Sequence, residues 1–328
     1  MHALDWHLAN STHVEALPAR LLRPRARANA DARALALAPW CLRRKSDGRF
    51  LATYDGQRLH ALWHGLAREP GIAEAIAAID ATCASGGLPW ALPLDGLEQR
   101  LARLGLDAGY GEQTGLALVP EPSRLEFAGF DRYRRPLWLL EPAARAWRRM
   151  QRAARADEVA LDAISGYRSH AYQLGIFERK LARGLTVQEI LAVNAAPGYS
   201  EHHGGLAMDI GTPGEPPAEE SFEATPAFAW LREHAGRFGF RMSYPRDNPH
   251  GISYEPWHWC WQPAEPALAE VHVPEARVGL RAGDRVPADL GDVVVFGHVL
   301  LRSTARQARG RDRMERTFSG CGAVIRLS

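Results

Sequence analysis

The chain has 328 residues, 46% of them hydrophobic and 24% charged, enough for a sizeable core that needs neither disulfides nor metal to hold it. Its 40 basic residues almost balance 38 acidic ones, for a formal net charge of +2, which argues against a field-driven nucleic-acid binder. No run approaches the roughly 18 apolar residues of a membrane span. No basic-then-apolar start reads as a secretory signal, so the sequence by itself points to the cytoplasm.

Cys41, Cys83, Cys260 and Cys321 are far apart and form no CxxC pair, so buried or free thiols in a reducing compartment are expected. Only Lys45 and Lys180 are lysines among the basic residues; the rest are arginine.

Residues 1 to about 40 are rich in Ala, Arg and His with weak periodicity, and the run from Arg20 to Arg27 reads as a solvated surface. From Gly56 to about Leu106 the pattern is helical, with Leu59, Leu62, Trp63 and Leu66, then Ile72, Ile76 and Ile79, at helical spacing. Gly86-Gly87-Leu88-Pro89 interrupts it, and Gly109 to Pro122 reads as a linker. The region 1–120 is therefore expected to be helical, with no chemistry of its own.

A different organisation begins at 121. Phe127 to Leu140 is apolar and aromatic around Pro136, and Glu141-Pro142 opens a helix through Met150. Val159 to Ile164 alternates like a strand, a helix is expected from Ser169 to Arg183, and a second, capped by Thr186, runs to Val193. Leu206 to Ile210 reads as a strand. Thr225-Pro226 starts a helix that stops at Gly239, and Phe240 to Tyr244 and Ile252 to Trp261 read as strands. Residues 264–328 look like a short extension with β-like runs such as Asp292 to Phe296.

Three stretches carry candidate chemistry. In Ser200-Glu201-His202-His203-Gly204-Gly205-Leu206-Ala207-Met208-Asp209, His202 and Asp209 are seven apart, and the two glycines let the backbone bend between them. The residues alone leave two readings open, a metal pair or a turn with a capping carboxylate. In Glu255-Pro256-Trp257-His258, Pro256 permits a bend that turns both polar side chains one way, with Trp257 and Trp259 as apolar walls; an aromatic core strand is the other reading. Ser165-Gly166-Tyr167-Arg168-Ser169 sets a guanidinium at a strand-to-helix turn, suited either to a developing oxyanion or to a surface ion pair. A metal hydrolase needs three protein ligands, an open position and a nearby carboxylate base, and these stretches contain such residues.

Together and in this order the three stretches resemble the zinc D-alanyl-D-alanine carboxypeptidases of the VanY type, a group that also holds D-Ala-D-Ala dipeptidases, L,D-carboxypeptidases and some endolysins. The family pattern is SGYRS, then PGxSEHxxGLAxD, then EPWH, matched at 165–169, 197–209 and 255–258 within a resemblance covering residues 125 to 262. It implies an α+β domain over 121–263, with a small antiparallel sheet and packed helices around a Zn2+ site. It further implies His202, Asp209 and His258 as zinc ligands, Glu255 as base and Arg168 as the group that steadies the oxyanion. By analogy Ser169, Gln173 and Ser200 hold the terminal D-amino acid, with Trp257 beside them, and the substrate is a peptidoglycan stem peptide or muropeptide. His203 is given at most a supporting role. Two departures stand out, His203-Gly204 before the GLA triplet and Cys260 where the family commonly has a basic residue. An L,D-carboxypeptidase, a dipeptidase, an endolysin-type peptidase and a non-catalytic zinc-bearing binding module stay open as alternatives, as does the oligomeric state.

Overall fold

Short strands joined by tight turns build the first half of the chain; a computed structural model describes residues 6–22, 29–83, 89–107 and 109–262. Strands β1 (His7–Asn10) and β2 (Val14–Pro18) are closed by a turn in which the Ser11 hydroxyl donates to the Val14 carbonyl at 2.6 Å. Helix α1 (Asn29–Leu37) precedes β3 (Trp40–Arg44) and β4 (Phe50–Tyr54). Asp55-Gly56 then turns the chain into β5 (Leu59–Ala61): Gly56 takes a φ of 102°, and Asp55 Oδ1 accepts from the N–H groups of Gln57 and Arg58. Helices α2 (Ile72–Cys83), α3 (Leu97–Ala102) and α4 (Tyr110–Thr114) lead to β6 (Arg124–Phe130) and β7 (Pro136–Leu139). All seven strands form one antiparallel sheet in the order β5-β4-β3-β2-β1-β6-β7.

This corrects the expectation of a helical N-terminal region. Leu59 and its neighbours mimic a helical period, but the Asp-Gly turn makes a hairpin there, and within 56–106 the α-helix begins only at α2. The stretch read as a linker is not one either. Tyr110 in α4 is buried with its ring 4.9 Å from that of Tyr199, and its hydroxyl accepts from the Ala196 N–H at 3.3 Å. The sheet itself draws strands from both sides of residue 120.

The second half follows its sequence pattern closely. Helix α5 (Glu141–Ala156) has Pro142 in its first turn and buries Ala143, Ala146, Trp147, Met150 and Ala154. Next come β8 (Asp162–Ser165), α6 (His170–Leu181), α7 (Val187–Leu191), β9 (Ala207–Gly211), α8 (Pro226–His234), β10 (Phe240–Met242) and β11 (His258–Trp261). Ser169 caps α6, Thr186 and Glu189 form a capping box on α7, and Thr225 caps α8. The four strands make an antiparallel sheet in the order β10-β11-β9-β8.

One core joins the sheets. Leu137 and Leu139 of β7, the buried face of α5, Met208 and Ile210 of β9, Trp259 of β11 and Leu231 of α8 lie in a single apolar cluster. Burying a side chain such as Leu139 or Met150 there contributes roughly 1.5–3 kcal/mol. The α+β class with antiparallel sheets thus holds. Among the described residues no helix is long and apolar enough to cross a membrane. The expected β-like extension at 264–328 and the turn at Gly86-Gly87-Leu88 lie outside the described residues, as does Cys321. Cys41 is a buried thiol, pushed up to about 12 chiefly by that burial.

Candidate functional site

Strand register assembles the site. Ser165 of β8 lies opposite Asp209 of β9, and Asp209 lies opposite His258 of β11, so the three side chains form one cross-strand row. A bulge between Ala163 and Ser165 sets that alignment. Because side chains alternate along a strand, Trp259 goes to the other face. It is buried in the core, its indole N–H donating to the Pro256 carbonyl at 3.0 Å, so its expected place as a wall of the site is corrected. Trp257 is half-buried and packs on the edge of the same core.

His202 reaches the row from a 3-10 turn, Glu201–Gly204. Three residues per turn point adjacent side chains about 120° apart, so His202 and His203 diverge. Gly205 then takes a φ of 68°, and a Cβ there would lie 2.4 Å from Leu125 Cδ2, so glycine is required by conformation and by space alike. His202, Asp209 and His258 each bring one donor atom, and these atoms lie within 4.8 Å of one another with all three residues buried.

The protonation pattern tells what belongs between them. His202 Nδ1–H donates to the Gly166 carbonyl at 2.7 Å, which leaves Nε2 with a bare lone pair. That Nε2 is buried without a hydrogen-bond partner and sits 3.4 Å from Asp209 Oδ1. A lone pair facing a carboxylate oxygen calls for a cation. Asp209 Oδ2 is held by the Ser165 hydroxyl at 2.8 Å, so Oδ1 is the oxygen left to face it. His258 Nδ1 lies 3.2 Å from that same Oδ1, while its Nε2 meets Glu201 Oε2 at 2.8 Å. The donor set, two imidazoles and a carboxylate with a carboxylate behind one histidine, fits a divalent metal ion.

Charges follow the same logic. Burial, joined by the Arg168 charge, takes His202 down to about 4, so it is neutral near pH 7. Burial would also lower His258, but Asp209 and Glu201 outweigh it and raise it to about 10; a metal ion must displace that proton. Asp209 is held well below the carboxylate range: His202 and His258 overcome its burial.

Glu255 sits in the bend before β11, its N–H donating to the Tyr244 carbonyl at 3.0 Å and its carbonyl accepting from His258 N–H at 3.1 Å. Its Oε2 is 3.9 Å from His258 Nδ1. Burial pushes its carboxyl up to about 7, the range suited to moving protons near neutrality. The Arg168 charge acts on Glu255, His202 and Asp209, and Arg168 Nε is buried with no hydrogen-bond partner.

Four residues of the 165–169 loop act directly around the site. Ser165 holds Asp209, the Gly166 carbonyl fixes the His202 tautomer, and Ser169 Oγ accepts from Tyr172 N–H to cap α6. Arg168 is pinned through its backbone, its N–H to the His202 carbonyl at 3.2 Å and its carbonyl to His203 Nδ1 at 2.6 Å. His203 Nε2 accepts from Gly198 N–H at 3.1 Å, so Nδ1 carries the proton and His203 is a brace, turned away from the His–Asp–His group. Gln173 is buried in α6 with Nε2 donating to the Ala195 carbonyl at 2.8 Å, while its Oε1 has no partner. Ser200 is buried just before the 3-10 turn.

Four contributors to the site carry little or no signal in the sequence. Glu201 stands beside His202 within the motif, an acid next to a proposed ligand, and that adjacency was its signal. Ser165 had only its place in the SGYRS stretch as a signal. Tyr244, whose ring lies 4.8 Å from that of His258, and Lys180, whose charge acts on Glu255 and Arg168, had none.

The fold and site define an α+β protein whose small antiparallel sheet carries a His–Asp–His metal-type cluster with a raised carboxyl beside it. The chain belongs to the VanY family: the family model described as D-alanyl-D-alanine carboxypeptidase matches residues 137–264. It is 34% identical over 174 residues to a putative carboxypeptidase, YodJ, of Bacillus subtilis strain 168, covering 50% of this chain and 63% of that protein. It is 31% identical over 145 residues to the bifunctional D-Ala-D-Ala dipeptidase and carboxypeptidase VanXYC of Enterococcus gallinarum, covering 42% of this chain and 74% of the relative. Among solved structures, a vancomycin-resistance D,D-pentapeptidase VanY in complex with Zn(II) is 32% identical, with 38% of this chain and 73% of that one covered and a TM-score of 0.33. The chain spans 63%, 34% and 47% of the lengths of three curated relatives, less than two thirds of each.

Proposed function

We propose that the protein is a zinc-dependent peptidase that hydrolyses the terminal D-Ala-D-Ala bond of peptidoglycan stem peptides. The observation that carries this reading is the meeting of the His202 lone pair, Asp209 Oδ1 and His258 Nδ1, with Glu255 at 3.9 Å from His258. His202, Asp209 and His258 would hold the zinc ion, which when bound supplies Lewis-acid polarisation of a carbonyl and makes water more acidic. Glu255 takes a proton from the attacking water and passes it to the leaving amine. Arg168 bears on the negative charge that grows on the carbonyl oxygen. Glu201 keeps the far nitrogen of His258 occupied, and Ser165 keeps the far oxygen of Asp209 occupied, so each presents one fixed donor. By the family resemblance, the buried residues Ser169, Gln173 and Ser200 and the half-buried Trp257 would hold the terminal D-residue.

A raised carboxyl and an unpartnered guanidinium nitrogen favour turnover over simple binding, since a binding module needs neither. The test is product identification after incubating the zinc-loaded protein separately with a stem pentapeptide, a tetrapeptide and free D-Ala-D-Ala. D-Alanine released from the pentapeptide is the expected result. Cleavage confined to the tetrapeptide or the dipeptide would move the assignment to an L,D-carboxypeptidase or a dipeptidase. No cleavage of any of them, with zinc bound, would overturn it.

A further inference from the structure

A second buried polar group lies on the far side of the Arg168 loop, and most of it comes from the N-terminal sheet. Lys45, just past β3, has Nζ 2.5 Å from Glu121 Oε2, with the two side chains 1% and 8% exposed, and also donates to the Ser11 carbonyl at 2.7 Å. Glu121 accepts a hydrogen bond from the Tyr167 hydroxyl through Oε2 and one from the His170 backbone N–H, at 2.9 Å, through Oε1. Asn10, the last residue of β1, donates to the Tyr167 hydroxyl oxygen at 2.9 Å and to the Pro122 carbonyl at 2.9 Å. Tyr167 and His170 bracket Arg168 and Ser169 in the chain.

We propose that Lys45, Glu121 and Asn10 form a positioning device that fixes Arg168 by gripping Tyr167 and the start of α6. This rests on the reading of Arg168 as an oxyanion-stabilising group and gives the N-terminal sheet its part in it.

The geometry supports it in three ways. Arg168 carries its useful atoms at the end of a long, flexible side chain, and its buried Nε makes no hydrogen bond that would hold it. The point from which it reaches out is therefore set by its backbone. That backbone is pinned from the site side by His202 and His203, and the Tyr167 hydroxyl is the corresponding tie on the opposite side. Second, an ion pair this deeply buried is poor evidence of stability in itself but has geometric specificity, because Glu121 can satisfy Lys45, Tyr167 and His170 together in only one arrangement. Third, His170 Nε2 donates to the Val119 carbonyl at 2.8 Å and its ring lies 4.3 Å from that of His203, so the device is continuous with the brace on the Arg168 carbonyl.

Two variants test this, Tyr167→Phe, which removes one hydroxyl, and the double variant Lys45→Met with Glu121→Gln, which removes both buried charges together. The thermal midpoint, the zinc content, kcat and KM are read on the full chain, together with the Arg168 Nε–H resonance assigned by its loss in Arg168→Lys. The expected result is a shifted or broadened Arg168 resonance in metal-free protein, with kcat lowered at least tenfold, KM less affected and zinc content unchanged. Combining all three substitutions should be no worse than the poorer of the two variants. A resonance that stays in place in a folded variant, whatever happens to the thermal midpoint, overturns the proposal. Because that signal needs neither metal nor substrate, the test stands even if no peptide is cleaved.

Discussion

The two sheets differ in how their polar residues are gathered. In the four-stranded sheet the key side chains come from three short motifs, and adjacent strands set Ser165, Asp209 and His258 in one row. In the seven-stranded sheet the buried polar group takes Asn10 from a strand end, Lys45 from a turn and Glu121 from an extended run, each more than thirty residues from the next. The first arrangement gathers the chemistry in a buried cross-strand row, and the second seals the join between the sheet and the loop. The comparison teaches that a region without a motif can still shape a site by holding the backbone of the residues that have one.

The sharpest way to test the division is to strike the site alone. Glu255→Gln keeps the shape of the bend and removes the proton acceptor, so turnover should fall about 10²–10⁴-fold while zinc content by mass spectrometry stays at one ion per chain. Full D-alanine release by that variant would discard Glu255 as base. A smaller effect is expected one layer back. Glu201→Ala takes away the partner of His258 Nε2, and zinc affinity in competition with a chromogenic chelator should drop about 10–100-fold. An unchanged affinity would show that the strand alone orients His258.

The smallest effect concerns pH and belongs to the other sheet. Burial acts to raise Glu121, yet Lys45 and His170 outweigh it and draw the carboxyl from its ordinary 4.5 to about 2. The unfolded chain therefore binds more protons than the folded one in that interval. The stabilisation is fully present above pH 4.5 and is lost as the pH falls towards about 2. In Glu121→Gln this contribution is gone, so the urea midpoint should fall less steeply on acidification than in the parent. Equal slopes would mean that Glu121 titrates alike in both states.

Much of the second half was legible because local signals and tertiary needs agree there. Pro142, Ser169, Thr186 and Thr225 mark helix starts by capping chemistry, which acts within four residues and needs no knowledge of the fold. His202, Asp209 and His258 were legible only as a set: seven-residue spacing across two glycines is uninformative until a neighbouring strand supplies His258 opposite Asp209. The first half misled because Leu59, Leu62, Trp63 and Leu66 fit a helical period by accident, while the Asp55-Gly56 turn decided the outcome. Trp259 was misplaced because alternation from His258 sends it into the core. Lys45 and Glu121 gave no signal, since a charged residue in a polar stretch looks the same whether it is solvated or buried.

The place of β6 between β1 and β7 bears on how such a protein can be shortened. Strand β1 covers one hydrogen-bonding edge of β6 along His7, Leu8 and Ala9. A relative lacking β1 to β5 would leave that row of amide and carbonyl groups bare, an invitation to self-association. Any such shorter form has to shield the seam with a substitute strand, a helix laid across it or a neighbouring subunit, and the choice made there would also decide what replaces Lys45.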